Sequence, residues 1–155
     1  MNREIKFRIK DRLDDEKWYY GVPVRFPVDK YCCFISFDDS FYSDFAELET
    51  LGQFTGILDK NGKEIYEGDI VKSTYREVRD YSGTQYEGQV SFVEKVVWSK
   101  DYNGWCLQIE DEGIGLYRRF NFCEEVNNYK LVNVEVIGDI FTNPELLKGD
   151  KDENN

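Results

Sequence analysis

Thirty-one acidic side chains and no histidine limit the chemistry this chain can carry. Without histidine there is no Ser–His or Cys–His nucleophile pair, and the imidazole ligands common in zinc sites are missing. Carboxylate chemistry, thiol chemistry and binding by aromatic or cationic side chains remain. Glu64, Glu67 and Asp69 lie close together and could form a metal or acid–base cluster. No further ligand pattern accompanies them, so they read as charges on a solvated hairpin rim. Cys32, Cys33, Cys106 and Cys123 make no CxxC, and adjacent Cys32 and Cys33 point to opposite faces if extended. They read as small apolar side chains, not as a zinc site. Neither a Walker A loop nor a strand-linked GxGxxG is present. With so many acids, a carboxylate pair found by inspection carries no weight. We expect no catalytic residue, no metal and no cofactor.

Binding residues are the better candidates. Trp18 and Tyr20 flank Tyr19, and such rings either stack bases or pack across strands; the packing reading is preferred. Arg118 and Arg119 sit between Tyr117 and Phe120, as a local basic patch or an outward rim. Tyr81 and Tyr86 fall in the polar stretch 76–88, which is long for a hairpin connection; any binding specificity would sit there, unless the stretch is an excursion with no partner. The net charge of −11 is the reverse of what phosphate contacts require. It favours basic protein partners and repels nucleic acid at long range.

These side chains must be held by strands. In Asp59-Lys60-Asn61-Gly62, Asn tolerates a positive φ and Gly has no Cβ to clash, so the chain can reverse between Ile57-Leu58 and Ile65-Tyr66. Gly68 then bends it into Ile70-Val71, the start of a β-branched run. Residues 4–10 alternate, with Ile5, Phe7 and Ile9 on one face and charges on the other. Trp18 to Val24 returns as a second strand, and Tyr31 to Phe37 is a continuous apolar run. Phe41, Phe45 and Leu48 fall at helical spacing after Ser40, which predicts a short helix over 41–48. Val90, Phe92, Glu94, Val96 and Trp98 share one parity, so Glu94 interrupts an apolar face and predicts a bulge near Glu94-Lys95. Asp101 to Gly104 is a second Asn-Gly turn, with Trp105 to Ile109 as the returning strand and Ile114 to Phe122 as another. Tyr129 to Ile137 is the last long strand, and Gly138-Asp139-Ile140 nearly repeats Gly68-Asp69-Ile70. Asn143-Pro144 reads as a helix start.

The run from Gly52 to Gly56, the run from Asp59 to Val71 and the closing Val136-Ile137-Gly138-Asp139-Ile140-Phe141-Thr142-Asn143-Pro144-Glu145-Leu146-Leu147 resemble the signature of the YopX family, as does Arg3 to Arg8. The resemblance spans nearly the whole chain. It implies a mainly β fold and a phage or prophage origin, and supplies no catalytic residues to carry over.

Together these readings give a mainly β chain: a small antiparallel, SH3-like, partly open barrel with an N-terminal β extension and one or two short helices. Residues 1–147 would form a single domain, with an N-terminal lobe over about 1–50, a barrel over about 51–147 and a disordered charged tail over 148–155. No run approaches the ~20 apolar residues of a spanning helix. With no secretory signal, the expected compartment is the bacterial cytoplasm. The expected function is a non-catalytic interaction module with an acidic surface, binding a host or phage protein. The alternatives are a nucleic-acid-associated barrel, a DNA mimic and an enzyme with carboxylate chemistry.

Overall fold

The computed structural model describes residues 4–25, 33–36, 41–42, 46–77, 88–111, 114–119, 125–126 and 129–148. The strands are β1 (Phe7–Asp11), β2 (Trp18–Arg25), β3 (Cys33–Ser36), β4 (Phe41–Tyr42), β5 (Ala46–Leu58), β6 (Glu64–Tyr66), β7 (Asp69–Glu77), β8 (Gly88–Ser99), β9 (Gly104–Asp111), β10 (Ile114–Arg119), β11 (Glu125–Val126) and β12 (Tyr129–Asp139). One turn of 3-10 helix follows at Pro144–Leu147. The chain is mainly β, as expected. The strands form two six-stranded sheets, ordered β4-β3-β2-β1-β5-β6 and β10-β9-β8-β7-β12-β11. Among the described strands neither order returns to its start, so both sheets are open and neither closes into a barrel.

The chain gathers into two compact units, Met1–Ile57 with Glu64–Gly68, and Leu58–Lys63 with Asp69–Asn155. The central motif is therefore divided. β5 pairs with β1 through Phe7↔Gln53 and Arg8↔Gly52, and β6 lies beside β5, so both join the N-terminal strands although a division near residue 50 was expected. The first core holds Ile9, Tyr19, Phe54, Ile65 and Tyr66, and the second holds Ile70, Val71, Tyr75, Val96, Cys106, Leu107, Leu131 and Val134.

The Asn61-Gly62 reversal forms, with one change in its chemistry. Gly62 N donates to Asp59 O at 3.0 Å and Asp59 N donates to Lys63 O at 2.7 Å. Only Gly62, at φ 82°, takes the left-handed conformation; Asn61 does not. At the second turn the roles swap, and Asn103 has φ 48°. Gly52 is required for another reason: a Cβ there would lie 2.5 Å from the Glu67 carbonyl oxygen.

Two local expectations fail. The helix over 41–48 is not formed: β4 pairs with β3, and β5 begins at Ala46. A helix that short is weak alone, whereas a ladder partner satisfies every second backbone group. No bulge occurs at Glu94-Lys95, because the pairing of β7 with β8 runs without a shift from Ile70↔Lys95 to Glu77↔Gly88. The helix start at Asn143-Pro144 forms as a single 3-10 turn with Pro144 in its first positions, although Asn143 makes no side-chain cap bond. The bulges lie on β12, between Leu131 and Asn133 and between Val136 and Gly138. That strand also brings the near-repeat together, since Asp69↔Asp139 and Ile70↔Gly138 are direct cross-strand partners on β7 and β12.

Candidate functional site

In the first unit the charged row of β1 is not solvated. Lys6, Arg8 and Lys10 are all buried, while Ile5 is exposed. Lys10 pairs with Asp15 at 3.5 Å, and rings surround the other two. Arg8 Cζ lies 4.3 Å from the Trp18 ring centroid and 5.0 Å from that of Tyr66, and Lys6 Nζ lies 4.6 Å from that of Phe54. Tyr20 meets Tyr66 edge-on at 5.7 Å, and Phe54 meets it at 5.5 Å. Such arrangements use the negative ring face to offset part of the desolvation of the cation. Glu64 completes the group: it pairs with Lys6 and accepts the Tyr66 hydroxyl at 2.7 Å. Burial would raise the Glu64 pKa, but the hydrogen bonds from Lys6 and Tyr66 hold it below the ordinary carboxylate value. Burial and the neighbouring carboxylate push the Tyr66 phenol above its usual range.

In the second unit the buried acidic or basic residues are carboxylic acids. Glu94 is 0% exposed, on β8. It accepts hydrogen bonds from Ser73 and, at 2.9 Å, from Tyr75, both on β7. Asp59, in the turn before β6, accepts from the backbone N–H groups of Asn61 at 2.7 Å, Lys63 at 2.9 Å and Val136 at 3.1 Å. Burial would raise the Asp59 pKa, but these donors outweigh it and hold it low. Lys60 N donates to Val134 O at 2.9 Å and Lys60 Nζ pairs with Glu135 at 2.5 Å, so the turn is stitched to β12. Asp139 receives Phe141 N at 2.9 Å and Thr142 N at 2.8 Å. These carboxylates orient backbone and hydroxyl groups. Among the described residues no group of three or more His, Cys, Asp or Glu is placed to hold a metal ion.

The hairpin β8–β9 carries a different arrangement at its end. Trp98 and Trp105 are direct cross-strand partners, with centroids 5.1 Å apart and planes at 82°. Trp98 is 42% exposed and Tyr102, in the turn, is 43% exposed.

A family model described as YopX protein matches residues 6–148. The chain belongs to the YopX family. No curated protein matches it. Among solved structures it is similar to protein EF1440 from Enterococcus faecalis, at 19% identity and a TM-score of 0.48, over 94% of this chain and 99% of that one.

In this YopX chain the structure brings two of the sequence-derived binding residues together. Trp18 and Tyr20 face Lys10 and Arg8 across β1–β2, and both rings join the cation cluster, Tyr20 with an exposed edge. Arg118 and Arg119 lie on β10, at register positions opposite Leu107 and Cys106. Tyr81 and Tyr86 lie outside the described residues, as do most of 76–88 and the tail from 149. The rim reading of the central acids is corrected: Asp69 is 1% exposed and Glu64 is drawn into the Lys6 pair. Cys106 is buried. Sequence reasoning missed Ser73 and Tyr75 as partners of Glu94. Their signal was a pair of hydroxyls two residues apart on one strand face, on the neighbouring strand and diagonal to the acid that interrupts an apolar row. No helix among the described residues is long and apolar enough to cross a membrane.

Proposed function

We propose that this YopX protein is a non-catalytic accessory module of a phage or prophage that binds a host or phage protein through the end of the β8–β9 hairpin. The exposed Trp98, backed edge-on by Trp105 and flanked by Tyr102, carries the reading. Holding a large ring in water forfeits its transfer free energy, and rings fixed before binding cost little entropy when a partner covers them. Tryptophan and tyrosine dominate the few residues that supply most of a protein–protein binding energy. The acidic balance suits a partner with a basic surface, which would be steered by charge and anchored by the rings. The carboxylates described above are occupied in structural hydrogen bonds, which supports a binding role over a catalytic one.

The test is affinity capture from the bacterium that carries the gene, followed by reconstitution with the captured protein in pure form. A one-to-one complex should form with the native chain. The W98A/Y102A variant should weaken it by about 2 kcal/mol or more, roughly thirtyfold. Equal affinity for the native and doubly substituted chains would overturn the reading.

A further inference from the structure

The outer face of β7 and β12 holds two cations where this acidic chain could easily have placed a pair of opposite charges. Arg76 and Lys130 are direct cross-strand partners, both exposed. Like charges in that position repel. Among the described residues neither takes part in an ion pair. On its other side Arg76 faces Gln89 of β8. Glu125 of β11 holds the register position opposite Lys130, so it is the one acid in that row. The next row brings Asn133, Thr74 and Ser91 side by side, with the two hydroxyl oxygens 3.2 Å apart. Between the two rows, β12 is irregular around Val132. A bulge of that kind re-aims side chains and is enriched beside binding sites. A cleft of about 270 Å³ opens there, lined by Arg76, Lys130, Leu131 and Val132.

We infer that this cleft binds the phosphate group of a small phosphorylated molecule, with Arg76 and Lys130 as its charge partners. Strand geometry sets the two cations about 5 Å apart at Cα. A monoester phosphate carries about −1.5 to −2 charges near neutral pH, enough to answer both cations at once, whereas a carboxylate answers one. The guanidinium fork matches two phosphate oxygens, the ammonium takes a third as a point charge, and Thr74, Ser91, Asn133 and Gln89 offer neutral donors beside them. The cleft is compact by the standards of ligand pockets, which suits a mononucleotide or a sugar phosphate. A nucleic-acid strand fits less well, because its many phosphates would meet the field of a chain with net charge −11.

The site lies on residues separate from Trp98 and Tyr102, so it stands or falls independently of the protein-binding reading. The experiment is a titration of the full native chain with inorganic phosphate, adenosine monophosphate, acetate and a single-stranded oligonucleotide at constant ionic strength. It is followed by amide chemical shifts and calorimetry. Saturable binding of phosphate and the monophosphate is expected, with shifts confined to the strands around Arg76 and Lys130. R76Q and K130Q should each weaken it about tenfold. K72Q, which removes an exposed cation on the same strand, should leave it within about twofold. E125Q should tighten it by removing the nearby acid. R76Q, K130Q and K72Q alter exposed positions, and an unchanged urea midpoint checks folding in every variant. The inference is overturned if no saturation occurs by about 10 mM phosphate, or if K72Q weakens binding as much as R76Q. Equal competition by acetate, or affinity that climbs with oligonucleotide length, would overturn it as well.

Discussion

Arg8 in one unit and Glu94 in the other are buried by different means. In the first, Arg8 is 5% exposed and lies between the rings of Trp18 and Tyr66. In the second, Glu94 is fully buried and takes the hydroxyls of Ser73 and Tyr75. A guanidinium is large, flat and weakly hydrated, so ring faces can replace part of its water. A carboxylate is compact and accepts only hydrogen bonds, so it must be given donors. The difference predicts unequal tolerance: the arginine site is largely packing, and the glutamate site is a hydrogen-bond network that fails when its acceptor is lost.

The strongest way to break this comparison is at position 94. E94A removes the acceptor of two hydroxyls and leaves a void, and should cost about 4 kcal/mol, read as a fall in the urea midpoint. E94Q keeps an acceptor and should cost less. If E94L matched the native stability, Ser73 and Tyr75 would have other acceptors and the network would not matter. A smaller loss, about 3 kcal/mol, is expected for G52A, because the new Cβ meets the Glu67 carbonyl and the backbone must shift. Wild-type stability in G52A would show that β5 and β6 can separate freely there.

At position 8 the pair R8A and R8M sharpens the contrast. R8A should cost about 2 kcal/mol through lost packing, and R8M under about 1 kcal/mol, since an apolar chain of similar volume still fills the space between the rings. Equal losses in both would mean that the charge, and not the volume, holds the site together. The smallest effect concerns Asp59 and acid. Its folded pKa is depressed, so its contribution is full above the unfolded carboxylate value near pH 4 and is lost as pH falls through the lower folded value. Denaturation of the native chain should therefore show stability falling below about pH 4, and D59N should flatten that slope. An unchanged slope in D59N would remove Asp59 as its source.

The strands were legible because their signals are local. The alternation in Gln89 to Trp98 and the turns at Gly62 and Asn103 need only nearby residues to act. The short element at 41–48 was not legible, because helical spacing over so few residues is overridden when β3 offers a ladder. The bulge expected at Glu94 shows the same limit. An acid in an apolar row reads as a defect until Ser73 and Tyr75 are known to lie beside it. The exposed aromatic end of β8–β9 was visible as two tryptophans flanking a turn, but their exposure was not.

By itself the sequence determined where the chain extends, where it reverses and which residues share a strand face. Backbone sterics and the period of two act within a few residues, so those choices are written locally. It could not determine that both faces of β1 become interior. Lys6 and Arg8 look like part of a solvent row until Phe54, Tyr66, Trp18 and Glu64 come in against them, the rings over both cations and Glu64 paired with Lys6. Burying a charge costs several kcal/mol unless partners replace its water. Only the tertiary structure supplies those partners, and so only it decided the fate of this protein's charges.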